Sequence, residues 1–386
     1  MSPQSNEAIA INNTLNTWPK WLRWCCLVVL VFAMLAAVSL IGGGFKTATQ
    51  SHAQTLFEYA ANPFLGLIIG MVCTALIQSS STVSSIIVAM VAGGLPISIA
   101  VPMMMGANIG TSITNTIVSL GHVGNKNEFQ RAFNAATIHD FFNIFSVVIF
   151  LPLEMMFGIL DSISAAMVSL FSTGATADVS TGVNPVKFII GPFVNSIANA
   201  TSGLPDIWNG TLRATIGLLL IIMSITLMGK IMKSLMVGRA RLMLQNSLGR
   251  GAVSGISSGT VVTVLVQSSS TTTSLMVPLV GNGIVTARAI YPFTLGANIG
   301  TTITAVIAAL SITGPNANLA LQIAFVHFSY NVLAVLFIYG IKYWREWPPQ
   351  LSYQLSLKVA EQKLYGLGYI IGVFFIVPLA AILFLS

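Results

Sequence analysis

The chain has 386 residues, of which 55% are hydrophobic and only 7% are charged, whereas soluble globular proteins carry about 25% charged residues. This composition excludes a water-soluble globular protein and predicts a multi-spanning α-helical membrane protein. The net charge of +7 does not indicate a nucleic-acid partner, because most basic residues flank apolar runs, as they do in cytoplasmic loops of membrane proteins. An outer-membrane barrel is excluded too, because residues 24–40 form an almost unbroken apolar run without the alternation of a barrel strand.

The first predicted element is a membrane span over residues 24–44, preceded by a polar segment that ends in Lys20 and Arg23. The positive-inside rule places this N-terminal segment in the cytoplasm. Because no convincing small-residue cleavage site follows the span, we interpret it as a retained helix and not as a signal peptide.

The next elements occur twice in the chain. The run Gln-Ser-Ser-Ser-Thr stands at 78–82 and again at 267–271, and Gly-Ala-Asn-Ile-Gly-Thr stands at 106–111 and again at 296–301. A third pair of positions, four residues apart and therefore on one helix face, is His139 with Asn143 in the first copy and His327 with Asn331 in the second. Two copies of one structural unit therefore fill most of the chain.

The repeat and the apolar runs divide the chain into six parts. They are a cytoplasmic segment at 1–23, repeat 1 at 24–155, a linker with an external loop and membrane-associated segments at 156–211, repeat 2 at 212–342, a cytoplasmic amphipathic segment at 343–364 and a C-terminal transmembrane helix at 365–386. Loop charges orient the two repeats oppositely, because the first span begins at basic residues whereas its counterpart at 214–229 ends at a basic cluster. Inverted repeats are typical of secondary transporters, whose substrate site lies at the midplane.

The apolar pieces around the serine motif are short. Residues 63–78 and 79–94 have 16 residues each, fewer than the roughly 20 that a helix needs to cross the hydrocarbon core. We therefore expect a hairpin with Gln-Ser-Ser-Ser at its tip, and the paired glycines of 106–110 predict a broken helix. The predicted fold is an all-α polytopic membrane protein with two inverted-topology repeats, each with a re-entrant helical hairpin and a broken transmembrane helix.

The charges near the motifs limit the chemistry. No Asp, Glu, Lys or Arg lies between Glu58 and Lys126, and no carboxylate lies between Asp206 and Glu346. Carboxylate proton relays are therefore poorly supported, since Asp140 is the only acid close to a repeated motif. Neutral hydroxyl, amide and carbonyl oxygens can hold sodium. Hydroxyl groups and helix N-termini can hold a small tetrahedral anion.

Each motif also has a structural alternative. A serine-rich run can be a packing face, but its duplication in the same context favours a binding role. Asn108 and Asn298 can cap a broken helix as well as line a site, and the His–Asn pairs are more typical of hydrogen bonds between helices than of ligands. The simplest role of the repeated glycines is close packing; they are Gly66, Gly70, Gly255 and Gly259.

Together, the paired motifs closely resemble those of the type II sodium-dependent phosphate cotransporter family, here in a compact bacterial form, over about residues 60–345. The resemblance implies that inorganic phosphate binds at Gln78, Ser79, Ser80, Ser81, Gln267, Ser268, Ser269, Ser270, Asn108 and Asn298. It implies sodium contacts at Gln78, Ser80, Thr82, Thr111, Gln267, Ser269, Thr271 and Thr301. We expect His139, Asn143, His327 and Asn331 to contact these residues from outside the site and to hold them in position.

The resulting prediction is a sodium-dependent phosphate symporter that imports phosphate by alternating access, with sodium as the coupling ion and no cofactor. We expect it in the bacterial inner membrane, in contact with lipid, with outer helices that form a scaffold or a homodimer face. Two alternatives stay open, a proton-coupled symporter and an anion channel for phosphate or another small oxyanion. An enzyme is not expected, because a nucleophilic serine needs a nearby base and only His139 or His327 could serve.

Overall fold

The computed structural model describes residues 18–49, 62–175, 185–247 and 251–385. In this part of the chain the regular structure is helical, and no strand occurs. Among the described residues, seven helices are long and apolar enough to cross a membrane: Lys20–Thr49, Ile97–His122, Lys126–Phe157, Asp206–Met232, Ala287–Leu310, Ala317–Tyr339 and Lys363–Leu383. The protein is therefore an all-helical, multi-pass membrane protein. Residues 1–17 of the expected cytoplasmic segment and 176–184 of the expected external loop lie outside the described residues.

The helices follow one another in a repeated order. The first group is α1 (Lys20–Thr49), α2 (Pro63–Ile77), α3 (Ser80–Ala92), α4 (Ile97–Thr111), α5 (Ile113–Ser119), α6 (Lys126–Phe157), α7 (Ile159–Ala175) and α8 (Pro185–Thr201). The second group is α9 (Asp206–Ser247), α10 (Ala252–Val266), α11 (Ser269–Ser274), α12 (Met276–Gly281), α13 (Ala287–Leu310) and α14 (Ala317–Ala334). The chain closes with α15 (Lys342–Arg345), α16 (Trp347–Glu361), α17 (Lys363–Ile371) and α18 (Val377–Leu385). The elements α1 to α6 thus have counterparts in α9 to α14. The opposite orientation of the two groups stays a prediction.

Two short helix pairs carry the serine motifs. We call α2 and α3 the first helix pair (63–92), and α10, α11 and α12 the second helix pair (252–281). In both pairs the first helix has 15 residues, too few to cross the hydrocarbon core alone. The second helix of the second pair is interrupted at Leu275, whose backbone keeps helical angles.

Glycines let each helix pair pack closely on the following helix. A Cβ atom added at Gly70 would collide with the carbonyl oxygen of Met103 on α4, and one added at Gly259 would collide with the carbonyl oxygen of Phe293 on α13. Only glycine allows the two backbones to approach this closely. The close-packing role that the sequence predicted for Gly70 and Gly259 is confirmed.

The helices that carry Gly-Ala-Asn-Ile-Gly differ from the sequence prediction. The sequence predicts a break at these glycines, but α13 passes through its motif without interruption, and in the first repeat the helix is interrupted only at Ser112, after the motif. A Cβ atom at Gly106 or Gly296 would collide with a carbonyl oxygen of the preceding helix pair. Close packing at these glycines therefore compensates for their weak helix preference of about 1 kcal/mol each.

The remaining helices surround this core. The outer helices α1 and α9 approach each other at Gly44 and Gly210, where an added Cβ would meet the backbone of the opposite helix. The amphipathic α16 packs on α6 through Ser352, whose hydroxyl lies 2.6 Å from the carbonyl oxygen of Asn134. These contacts leave α4, α6, α13 and α14 in the centre, where the buried polar side chains include two histidines and four asparagines.

Candidate functional site

The first serine motif lies at a break between two helices. Helix α2 ends at Ile77, and Gln78 adopts the left-handed conformation with φ 55° and ψ 30° while its N–H donates to the carbonyl of Thr74 at 2.7 Å. The Ser79 hydroxyl then accepts a hydrogen bond from the N–H of Thr82 at 3.2 Å and caps α3. The motif is therefore a helix end followed at once by a helix start, at the position where the sequence predicts the hairpin tip.

The second motif has the same geometry. Gln267 has φ 56° and ψ 27°, its N–H donates to the carbonyl of Thr263 at 2.7 Å, and Ser268 accepts from the N–H of Thr271 at 3.1 Å. Gln78 and Gln267 are the only non-glycine residues with positive φ in the described part of the chain. This conformation costs a residue with a Cβ roughly 1–2 kcal/mol. Strain of this kind tends to concentrate at functional sites.

Each motif presents hydrogen-bond donors at a helix N-terminus. The first turn of a helix leaves N–H groups without helical partners, and its dipole favours negative charge. The hydroxyl groups of four serines donate to no other described residue: Ser80, Ser81, Ser269 and Ser270. This combination is suited to an oxyanion such as phosphate.

The two motif glutamines differ in their surroundings. The side chain of Gln78 is exposed and makes no hydrogen bond with a described residue. Gln267 is held in place, since its Nε2 donates to the carbonyl of Val264 at 2.7 Å and its Oε1 accepts from Thr304 at 3.1 Å. Gln78 is therefore free to turn toward a ligand, whereas Gln267 is oriented by the protein.

The hydroxyls of the predicted sodium-contacting threonines already make hydrogen bonds within the protein, and the hydroxyl of Thr271 is the acceptor in its bond. Thr111 and Thr301 donate to the carbonyls of the residues four positions earlier, both at 2.9 Å. Thr82 lies 2.8 Å from the Ser79 hydroxyl, and the Ser268 hydroxyl donates to Thr271 at 3.0 Å. A hydroxyl oxygen that has donated its proton keeps lone pairs for a cation.

The repeated histidines and asparagines meet in a buried cluster. His139 donates from Nε2 to Oδ1 of Asn298 at 2.6 Å, and His327 donates from Nε2 to Oδ1 of Asn108 at 3.0 Å. Each bond joins a histidine of one repeat to the asparagine of the other, and all four side chains are buried. The hydrogen bonds between helices that the His–Asn pattern suggested are present.

Two further asparagines complete this cluster. Asn298 donates to Oδ1 of Asn143 at 2.8 Å, and Asn108 donates to Oδ1 of Asn331 at 2.8 Å. Asn143 in turn donates to the carbonyl of Asn108 at 2.7 Å. The carboxamides of Asn108 and Asn298 are thus already engaged by protein groups on both their oxygen and their nitrogen.

Asn115, which belongs to no repeated motif, connects the cluster to the second helix pair. Its Oδ1 accepts hydrogen bonds from Thr273 at 2.9 Å and from Ser274 at 3.1 Å, and its Nδ2 lies 3.4 Å from Nδ1 of His139. The related position of the second repeat holds Ala305, so a search for repeated motifs does not find this residue.

Asp140 is the buried charge nearest to the cluster. Its Oδ2 accepts hydrogen bonds from Tyr369 at 3.0 Å and from Thr116 at 3.3 Å, whereas Oδ1 has no partner among the described residues. The side chain is fully buried, and no described basic group forms an ion pair with it. A carboxylate in such surroundings requires a cation or a proton to neutralise it.

The structure brings some predicted residues together and leaves others apart. The four asparagines and two histidines form one hydrogen-bonded cluster. No hydrogen bond between described residues joins the two serine motifs to each other. Two buried threonines, Thr74 and Thr263, lie one turn before the glutamines and are not among the predicted site residues. Their hydroxyls have no described partner. Their recurrence at related positions was the signal that could have identified them.

Comparisons with known proteins point to one family. The family described as Na+/Pi-cotransporter matches residues 33–174 and 220–347. Sodium-dependent phosphate transport protein 2B of Homo sapiens is 32% identical over 447 residues, which cover 92% of this chain and 64% of the human protein. The 2B protein of Pongo abelii gives the same values.

Sodium-dependent phosphate transport protein 2A of Rattus norvegicus is 30% identical over 430 residues, covering 93% of this chain and 67% of the rat protein. The chain thus spans about two thirds of the length of these relatives. No solved structure matches the chain. The matched residues include both serine motifs and the whole asparagine–histidine cluster, and this chain belongs to the Na+/Pi-cotransporter family.

Proposed function

We propose that this chain is a sodium-dependent symporter that imports inorganic phosphate by alternating access. The observation that supports it most is the pair of helix breaks at Gln78 and Gln267, each followed by a helix N-terminus with unengaged serine hydroxyls. Donors of this kind hold an oxyanion without the aid of a basic side chain. Two relatives, the 2A and 2B proteins, are sodium-dependent phosphate transport proteins.

Phosphate would bind at the two motifs. The proposed donors are the carboxamides of Gln78 and Gln267, the hydroxyls of the six motif serines and the N–H groups at the starts of α3 and α11. Asn108 and Asn298 would contribute to the site as members of the hydrogen-bonded cluster, because their carboxamides already have protein partners. Phosphate contacts at these two residues would require part of the cluster to rearrange.

Sodium would bind close to the anion and offset its charge. The proposed ligands are oxygens of Gln78, Ser80, Thr82 and Thr111, and of Gln267, Ser269, Thr271 and Thr301. A hard cation is well served by such neutral oxygens, and the anion and cation stabilise each other where the dielectric constant is low. We propose that sodium binds first and orders the helix breaks. Equal phosphate affinity in sodium-free protein would contradict this order.

The membrane arrangement is also a proposal. Lys20 at the start of α1 favours a cytoplasmic N-terminus in a bacterial inner membrane. The chain would act as a transporter and not as an enzyme, since the relatives are transport proteins. The outer helices α1 and α9 would form a scaffold or the interface of a homodimer, and mass measurement of the purified protein in detergent tests that interface.

Phosphate uptake into proteoliposomes tests the function. Purified protein is given radiolabelled phosphate under an inward sodium gradient, an equal potassium gradient, or a pH gradient alone. We expect uptake only with sodium. Equal flux under all three conditions would indicate a channel and overturn the proposal.

A proton-coupled symporter is the second candidate, and Asp140 is the observation that favours it. This buried carboxylate has one oxygen without a described partner and could carry a proton through the cycle. If uptake follows the pH gradient and the Asp140→Asn variant loses that response, the coupling ion is the proton. Asp206→Asn, which alters an exposed carboxylate, is the matched control.

A further inference from the structure

In each helix pair, the carbonyl of the last residue accepts a hydrogen bond from a side chain of the opposite repeat. Arg131 at the start of α6 donates from Nε to the carbonyl oxygen of Gly281 at 2.9 Å. Asn316, just before α14, donates from Nδ2 to the carbonyl oxygen of Ala92 at 3.0 Å. Ala92 and Gly281 are the last residues of α3 and α12, and they occupy related positions of the two repeats.

Both carbonyls belong to the last turn of a helix. Carbonyls there have no helical N–H partner, and a donor at this end interacts favourably with the helix dipole. Any nearby donor could serve as a cap, but here both donors come from the other repeat. Each hydrogen bond therefore fixes one end of a helix pair to the opposite repeat.

The surroundings of the two contacts are closely packed. A Cβ atom added at Gly281 would lie 3.1 Å from the ring of His122 and 3.2 Å from the side chain of Ala132, both in the first repeat. A Cβ atom added at Gly93, directly after Ala92, would come within 2.5 Å of the carbonyl oxygen of Gly42 on α1. Each helix end therefore packs closely on neighbouring residues and accepts a hydrogen bond from one side chain.

The two contacts lie at opposite ends of α6. Arg131 is near the beginning of this helix, and Glu154 near its end accepts hydrogen bonds from the N–H groups of Leu160 and Asp161. Asp161 accepts from Gln322 at 2.7 Å, which places the beginning of α14, and hence Asn316, at that end. The 24 residues from Arg131 to Glu154 span about 35 Å, comparable with the roughly 30 Å of the hydrocarbon core.

A cavity borders the contact at Asn316. It has a volume of about 650 Å³, and its lining includes Ala92 and Asn316 themselves together with the polar side chains of Ser39, Lys46 and Asn195. A cavity of this volume has room for a hydrated anion. The Asn316–Ala92 hydrogen bond therefore lies where a path from one membrane face would reach the end of the first helix pair.

We propose that Arg131 and Asn316 are positioning residues of two latches, one at each membrane face. Each latch holds the end of a helix pair against the opposite repeat, and its release opens the site toward that face only. The inference rests on the alternating access of the proposed function. The Arg131 latch is the stronger, because hydrogen bonds from a charged donor exceed those from a neutral amide.

Labelling of a single cysteine tests the latches. In a background with Cys25, Cys26 and Cys73 replaced by serine, Ser79→Cys introduces one thiol at the first helix break. A membrane-impermeant maleimide is applied to either face of proteoliposomes. Loss of a hydrogen bond from a charged donor, worth about 1.5–3 kcal/mol, shifts an equilibrium roughly ten- to hundredfold. Arg131→Ala is therefore expected to raise labelling from the membrane face at which Arg131 lies by that factor and to lower it from the other face.

Asn316→Ala is expected to shift labelling in the opposite direction. Arg131→Lys keeps a charged donor and should restore much of the original ratio. Arg288→Ala is the matched control, because this exposed arginine pairs with Glu346 at 2.7 Å and contacts neither latch. Asn316→Asp removes the donor with almost no change in size and should reproduce Asn316→Ala.

The opposite direction of the two shifts is the decisive result. A shift of both variants in the same direction, or no shift with correctly folded protein, would overturn the proposal. Labelling does not depend on the identity of the substrate. Opposite shifts in a protein that fails to transport phosphate with sodium would therefore support the latches and refute only the proposed function.

Discussion

His139 in the first repeat donates a hydrogen bond of 2.6 Å from Nε2 to Oδ1 of Asn298 in the second repeat. The reciprocal bond runs from His327 to Asn108 at 3.0 Å. Because all four side chains are buried, neither bond can be replaced by water without opening the interior. The two repeats are therefore joined by complementary polar pairs, which align them more specifically than apolar packing alone.

The first prediction concerns the coupling of this pair. We expect the single variants His139→Ala and Asn298→Ala each to lower thermal stability in detergent, and the double variant to be less damaging than their sum. The expected coupling free energy is about 0.6–1.7 kcal/mol, as found for hydrogen bonds between membrane helices. Ser146→Ala, whose hydroxyl donates to the carbonyl of Phe142 in its own helix, is the control. Strictly additive losses would show that the bond contributes nothing specific.

A second prediction separates the backbone of Gln78 from its side chain. Glycine adopts φ 55° without strain, whereas alanine retains roughly 1–2 kcal/mol of it. Gln78→Gly should therefore be at least as stable as Gln78→Ala in thermal unfolding, yet both should lose phosphate uptake, because both lack the carboxamide. Gln267→Gly should give the same result, and it should also remove the acceptor of the Thr304 hydrogen bond. Normal uptake by the glycine variants would remove the glutamines from the site.

The third prediction concerns the unengaged motif serines. Ser80→Ala and Ser269→Ala each remove a hydroxyl that has no described protein partner, so stability should change little. A hydrogen bond to a charged ligand contributes about 1.5–3 kcal/mol, and the KM for phosphate should rise roughly ten- to hundredfold. Ser84→Ala is a suitable control on the same helix, since its hydroxyl donates to the carbonyl of Ser81 at 3.1 Å. Equal kinetics for Ser80→Ala and Ser84→Ala would place phosphate elsewhere.

Repetition explains which parts of the site the sequence could predict. The helix break at Gln78 and the shared face of His139 and Asn143 appear twice in the chain, and the structure contains both. Asn115 could not be found in this way, because its counterpart is an alanine. The partner of each cluster residue could not be predicted either, since a pattern along one helix does not specify which other helix faces it.

The uninterrupted α13 shows a different limit of sequence reasoning. Glycine weakens an isolated helix, and on that ground two glycines within five residues predict a break. In this protein the missing Cβ atoms of Gly296 and Gly300 let the backbone of α10 approach, and the packing gained there exceeds the local cost. The propensity of a segment therefore cannot be separated from the helix that packs against it.

The last prediction tests this close approach. Gly70→Ala and Gly259→Ala each place a methyl group against a backbone carbonyl, of Met103 and Phe293 respectively. Backbone cannot rotate away as a side chain can, so we expect overpacking to cost about 1–3 kcal/mol or more. The yield of monodisperse protein and its thermal stability should fall in both variants. Gly43→Ala, where an added Cβ meets nothing within 4 Å, should leave both unchanged. If Gly70→Ala matched this control, the helices would have room to separate, and the glycines would not be what holds the helix pairs against α4 and α13.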